Sequence, residues 1–184
     1  ELLREDERPQ RIVRRYVRMV EGFIERDVPV VGFVKNPATR LITRTVRDRR
    51  GNAPWVNDAA FFSQVLERGE FVDGTWERER GELAYTNWFV SRGGADGALS
   101  APTVPYDVDR VHDPADYEVT FCVVYDPRTD TVYRVEAPAA FTRDDDCREA
   151  VTRQVLKGIA AERGPPEAVA KADSLARIGQ AETR

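Results

Sequence analysis

The run Val28-Pro29-Val30-Val31-Gly32-Phe33-Val34 carries no charge and stops abruptly at Lys35-Asn36-Pro37. A Val-rich run bounded by proline predicts a strand buried on both faces, the kind found inside an α/β sheet. The segment before it supports that expectation. Ile12, Val13, Tyr16, Val17, Val20, Phe23 and Ile24 recur at helical spacing, while Arg11, Arg14, Arg15, Arg18, Glu21, Glu25 and Arg26 fill the other face. A helix followed by a buried strand is half of a βαβ unit. The strand expected ahead of the helix is not in this sequence, which opens on Glu1 without a methionine and reads as a chain cut at its N-terminus. Open α/β sheets hold ligands at the C-terminal ends of their strands, so Lys35 there faces either water or a phosphate.

Downstream, Asn36-Pro37 is expected to begin a short helix through Arg47, with Leu41, Ile42 and Val46 on its buried side. Asn57 is placed to cap a second helix, Asp58 to Arg68, whose apolar face is Ala59, Phe61, Phe62, Val65 and Leu66. Asp58 itself reads as an acidic charge at a helix start. Glu70 to Glu82 reads as charged and turn-rich, Leu83 to Val90 as a strand, and Ala95 to Asp116 as a long irregular loop. Tyr117 to Tyr125 and Val132 to Glu136 form two strands joined by the Asp126–Asp130 turn. Tyr133 and Val135 then share one face and Arg134 and Glu136 the other. Helices are expected from Asp144 to Glu162 and from Pro165 or Pro166 to Gln180.

Several chemistries are excluded. No stretch approaches the roughly 20 apolar residues of a membrane span, and no secretory signal is present. Cys122 and Cys147 lie far apart without a Cys-x-x-Cys setting, as free thiols of a cytoplasmic protein would. His112 is the only histidine and sits in a polar run that reads as a loop, so neither a histidine-based triad nor a zinc site is expected. No Gly-rich phosphate loop or nucleophile elbow occurs. The adjacent carboxylates of Asp144, Asp145 and Asp146 do not converge on one point, and read as charge at a helix start.

The net charge of -4 does not advertise a nucleic-acid binder. Within it, however, 25 of the 28 basic residues are arginine, the better bidentate phosphate ligand. Arg40, Arg44, Arg47, Arg49 and Arg50 cluster directly behind the Lys35 strand. A GC-rich genome would give the same arginine bias without a function. Asp173 stands among alanines between Ala168 and Ile178, where a carboxylate is either exposed or bound to something.

The ordered set of these blocks resembles a known family. A helix, then Val30-Val31-Gly32-Phe33-Val34-Lys35, then a helix from Asp58 ending Leu66-Glu67-Arg68-Gly69-Glu70, is similar to the archaeal DNA-repair nuclease family NurA. The likeness continues through Tyr133-Arg134-Val135-Glu136-Ala137-Pro138. It closes on Gly164-Pro165-Pro166-Glu167-Ala168-Val169-Ala170-Lys171-Ala172-Asp173, which resembles the family's closing Gly-Tyr-Pro-Tyr-Pro-Leu-x-x-Ala-His. The likeness runs from about Arg11 to Ile178, and the arginine-rich, lysine-poor composition suggests a haloarchaeal member.

The resemblance implies one nuclease domain over residues 1–184, an RNase H-like mixed α/β sheet flanked by helices, with its N-terminal strands missing. It implies DNA cleavage with manganese, or magnesium, in the resection of double-strand breaks. The partners it implies are DNA, a second copy of the chain and a HerA-type hexameric ATPase. The family's closing histidine falls on Asp173, an oxygen donor suited to manganese, and the tyrosine eight residues earlier falls on Pro165. On that basis Asp173 is the candidate catalytic and metal-ligating residue, and Lys35, Arg40 and Arg44 are the candidate DNA contacts. The competing expectation is a catalytically incomplete DNA-binding or ATPase-docking module of the same fold.

Overall fold

The computed structural model describes residues 7–68, 70–72, 75–77, 81–90, 108–162, 164–171 and 174. It is a mixed α/β arrangement. Helix α1 (Glu7–Ile24) leads to strand β1 (Gly32–Lys35), helices α2 (Leu41–Arg50) and α3 (Asp58–Glu67), and a small hairpin of β2 (Glu70–Val72) and β3 (Thr75–Glu77). Short strands β4 (Ala84–Tyr85) and β5 (Phe89–Val90) follow, then long strands β6 (Val119–Asp126) and β7 (Thr131–Pro138), and helix α4 (Asp145–Glu162). A five-stranded sheet runs in the order β1-β7-β6-β4, with β5 also paired to β6. Both β4 and β5 are antiparallel to β6.

By compactness the chain divides into two units. The first takes in Glu1–Gly32, Trp88–Cys122 and Glu136–Val151, the second Phe33–Asn87, Val123–Val135 and Thr152–Arg184. In the first unit α1 forms as its periodicity predicts, burying Val17 and Val20 against Val108 and Tyr117 with Val13, Tyr16 and Ile24 alongside. Asp27, with φ 51°, ends the helix in the left-handed region, and the Val28 amide bonds back to the Phe23 carbonyl at 3.1 Å. The Tyr117 hydroxyl donates to Glu21 at 2.9 Å and accepts from the His112 amide at 3.0 Å, while Tyr16 donates to the Tyr117 carbonyl. His112 lies in a loop, as expected. Burial pushes the Tyr16 phenol up to about 12, and the negative charge of Glu136 adds to the effect.

In the second unit the expected hairpin is present. Val123, Val124, Tyr125, Val132, Tyr133 and Val135 are buried, as are Val155 and Ile159 of α4. Alternation along β7 leaves Arg134 and Glu136 partly exposed while Tyr133 and Val135 are buried. The Asp126 carboxylate, fully buried, takes two bonds from the Arg128 side chain, at 2.8 and 2.7 Å, and one from its amide. Arg128 also donates to the Ile159 and Ala160 carbonyls at the end of α4, groups that a helix cannot satisfy itself.

The strand expected over Val28–Val34 is corrected. Pairing begins only at Gly32, and β1 is four residues long, largely exposed and at one end of the sheet order. Pro29 has no N–H to give a ladder, and β1, with one neighbour in the sheet order, has three of its four residues exposed. Apolar content alone therefore overstated how deeply this segment is buried. The helix expected from Asn36 starts instead at Leu41. Asn36, in the left-handed region at φ 44°, still belongs to the sheet. Its amide donates to the Val132 carbonyl at 2.7 Å, and its side chain accepts from the Val132 amide at 3.1 Å.

The hairpin of β2 and β3, with Phe71 opposite Trp76, replaces the turn-rich stretch expected from Glu70. The Asp73-Gly74 dipeptide was its available signal. The single strand expected over Leu83–Val90 is two, β4 and β5. Of the long loop, residues 95–107 lie outside the described residues. Helix α4 opens as predicted, with Asp144 accepting from the Cys147 amide at 2.9 Å and Asp145 pairing with Arg148. Of the last expected helix, residues 167–171 are helical. No helix among the described residues is long and apolar enough to cross a membrane.

Candidate nucleic-acid interface

The segment from Lys35 to Arg50 holds six cations and one anion, Asp48, in a chain of net charge -4. Lys35 ends β1 and is exposed. Asn36, bonded twice to Val132, fixes the chain where it leaves the sheet, and buried Pro37 follows. Arg40 occupies the N-cap position of α2, and Arg44 and Arg47 follow at i+4 and i+7, so the three lie along one line of the helix. All of them are exposed, as are Arg49 and Arg50. None of these cations makes an ion pair among the described residues.

Their positions differ in physical meaning. Arg47, Arg49 and Arg50 sit in the last turn of α2, where the helix dipole favours cations, and Gly51 closes the helix at φ 71° with its amide on the Arg47 carbonyl. Folding alone accounts for them. Arg40 and Arg44 lie toward the opposite, positive end. That end has no acidic residue in its first turn, and Arg40 makes no capping bond. By the dipole alone, cations there cost folding energy, on the order of a few tenths of a kcal/mol each. No ion pair among the described residues engages either side chain, which leaves both guanidiniums open to an anion outside the chain.

The cap that α2 lacks comes from α3. Asp58, the first residue of α3 and 4% exposed, accepts at one oxygen from the Thr43 amide at 2.9 Å and the Thr43 hydroxyl at 3.1 Å. Its other oxygen accepts from the Thr39 hydroxyl at 2.9 Å, and its own amide donates to the Thr39 carbonyl at 2.8 Å. The neighbouring Asn57 caps α3 as predicted, accepting from the Ala60 amide. The reading of Asp58 as a helix-start charge is thus right in kind, but the helix it serves is α2 as well as its own. Thr39 and Thr43 were missed in the sequence. The signal available was a helix opening on arginine with no cap of its own.

Asp173, the expected metal ligand, lies outside the described residues. Among the described residues no group of three His, Cys, Asp or Glu side chains is placed to hold a metal ion. Asp58 and Asp126, the buried aspartates, are engaged with Thr39 and Thr43 and with Arg128. The described residues do not amount to a manganese site, so no step of hydrolysis is assigned to them. Arg134 and Glu136 are half-buried and each is engaged within the protein. Burial pushes the Cys122 thiol up to about 12 and raises that of Cys147; both are free, as expected.

The fold and the surface together define a mixed α/β protein with an arginine line along a short helix, suited to a polyanion. The NurA domain family matches residues 1–178, and the chain belongs to that family, a family of nucleases associated with DNA repair. No curated protein and no solved structure matches the chain.

Proposed function

We propose that this chain acts as a metal-dependent DNA nuclease of the NurA type in end resection at double-strand breaks, and that Lys35, Arg40 and Arg44 meet the DNA backbone. One observation carries the DNA-binding half: Arg40 and Arg44 stand exposed along one line at the start of α2 and neither makes an ion pair among the described residues. A phosphate would meet guanidiniums that pair with no described carboxylate. The finer parts of the reading follow the family: an RNase H-like sheet, manganese or magnesium as the metal with Asp173 among its ligands, a homodimer docked on a HerA-type hexameric ATPase, and a place in the cytoplasm.

The test is binding of a labelled single-stranded oligonucleotide across a salt series, together with manganese-dependent cleavage. A protein using these cations loses affinity steeply with salt, and Lys35→Ala lowers the slope of log K on log[salt] by about 0.7 per lost phosphate contact. Cleavage abolished by Asp173→Ala with binding retained supports the ligand assignment. Binding without cleavage under manganese, by the unaltered protein, moves the weight to a DNA-binding or ATPase-docking module.

A further inference from the structure

We infer that Asp58 is a positioning residue for the DNA surface: by capping α2 from within α3, it leaves position 40 free for a cation and fixes where the Arg40–Arg44 line is presented. The inference rests on the phosphate-binding reading above. A helix start ordinarily carries Ser, Thr, Asp or Asn at its cap, because the first amides have no partner within the helix. Here the cap position is Arg40, with φ -127° and no capping bond. The Thr43 amide cannot turn to water instead, since Thr43 is 1% exposed.

Asp58 resolves this from behind. Its two oxygens bind Thr43 and Thr39 on either side of Arg40, and its amide holds the Thr39 carbonyl. The anion that a helix start favours is buried, and the outer side of the same turn is left to Arg40 and Arg44. Buried as it is, Asp58 does not touch DNA; it acts through α2. Asn57-Asp58 thus serves two helices with adjacent side chains, Asn57 closing α3 and Asp58 closing α2.

The experiment compares Asp58→Ala, Asp58→Asn, Thr39→Ala, Asn57→Ala and Arg44→Ala for oligonucleotide affinity and its salt slope, alongside thermal melting. Asp58→Ala is expected to weaken binding about tenfold and to lower the salt slope by one to two contacts, at about 0.7 per contact. Asp58→Asn is expected to restore affinity to within about threefold, because an amide oxygen still accepts from Thr43 and its nitrogen donates to the Thr39 hydroxyl. Asn57→Ala is expected to lower melting while leaving the slope unchanged, which separates positioning from simple loss of stability. If Asp58→Ala does not fold, Thr39→Ala gives a smaller loss of slope in the same direction. Wild-type affinity and slope in Asp58→Ala or Thr39→Ala, with Arg44→Ala weakened, overturns the positioning role and leaves the phosphate reading standing. An unchanged Arg44→Ala overturns the phosphate reading and this inference with it.

Discussion

Two buried aspartates in the second unit are handled in opposite ways. Asp126 in the β6–β7 turn is met by the guanidinium of Arg128, which also ties down the last carbonyls of α4. Asp58 at the start of α3 is met by two threonine hydroxyls and a helix amide. The first arrangement commits an arginine to holding the fold, although its side chain stays 30% exposed. The second leaves Arg40 and Arg44 beside it pointing outward. The contrast separates arginines that hold the fold from arginines that have no fold-holding task, and only the second kind is available to a polyanion.

The largest effect that sharpens this contrast is Arg128→Ala. It strands the Asp126 carboxylate and is expected to cost about 3 kcal/mol in a urea melt, with DNA affinity per folded molecule unchanged. A loss of DNA slope in Arg128→Ala would erase the distinction between the two aspartates. Asn57→Ala removes a single cap and is expected to cost about 1 kcal/mol by the same melt.

Stability against pH probes the interior groups. The Arg128 hydrogen bonds hold the Asp126 carboxyl below the usual carboxylate range, despite its burial. With the folded value below the unfolded one, its contribution is complete above about pH 4 and is lost as pH falls through the folded value. Asp126→Asn is expected to flatten that acid limb. At the other end, the Tyr16 phenol is raised from 10.0 to about 12 by burial and by Glu136. Its contribution is complete below pH 10 and is lost as pH climbs toward 12, so Tyr16→Phe flattens the alkaline limb. A steep alkaline limb retained in Tyr16→Phe would place the titration on another group.

What the sequence disclosed follows from how local each signal is. The α1 stripe, the Asn57 cap, the Asp126–Asp130 turn and the acidic start of α4 depend on neighbours a few residues apart, and each is present. The Val28–Val34 run misled because an apolar run fixes neither burial nor a strand's place in the sheet, and β1 is largely exposed at one end of the order. The Asp58 clamp was hidden for a different reason. Its partners, Thr39 and Thr43, lie 19 and 15 residues away, joined only when α2 folds back on α3. Of the candidate site, the exposed cations Lys35, Arg40 and Arg44 were legible as a charge run, but the reason Arg40 and Arg44 are unusual needs the helix direction, which only the start at Leu41 supplies.

The most direct measurement is a paired one on the double variant Arg40→Ala/Arg44→Ala: thermal stability and oligonucleotide affinity on the same samples. Removing two cations from the positive end of α2 is predicted to leave stability unchanged or raise it by up to about 1 kcal/mol, while affinity falls at least tenfold and the salt slope drops by about 1.4. Lower stability with unchanged affinity would contradict the account, showing that these arginines serve the fold after all.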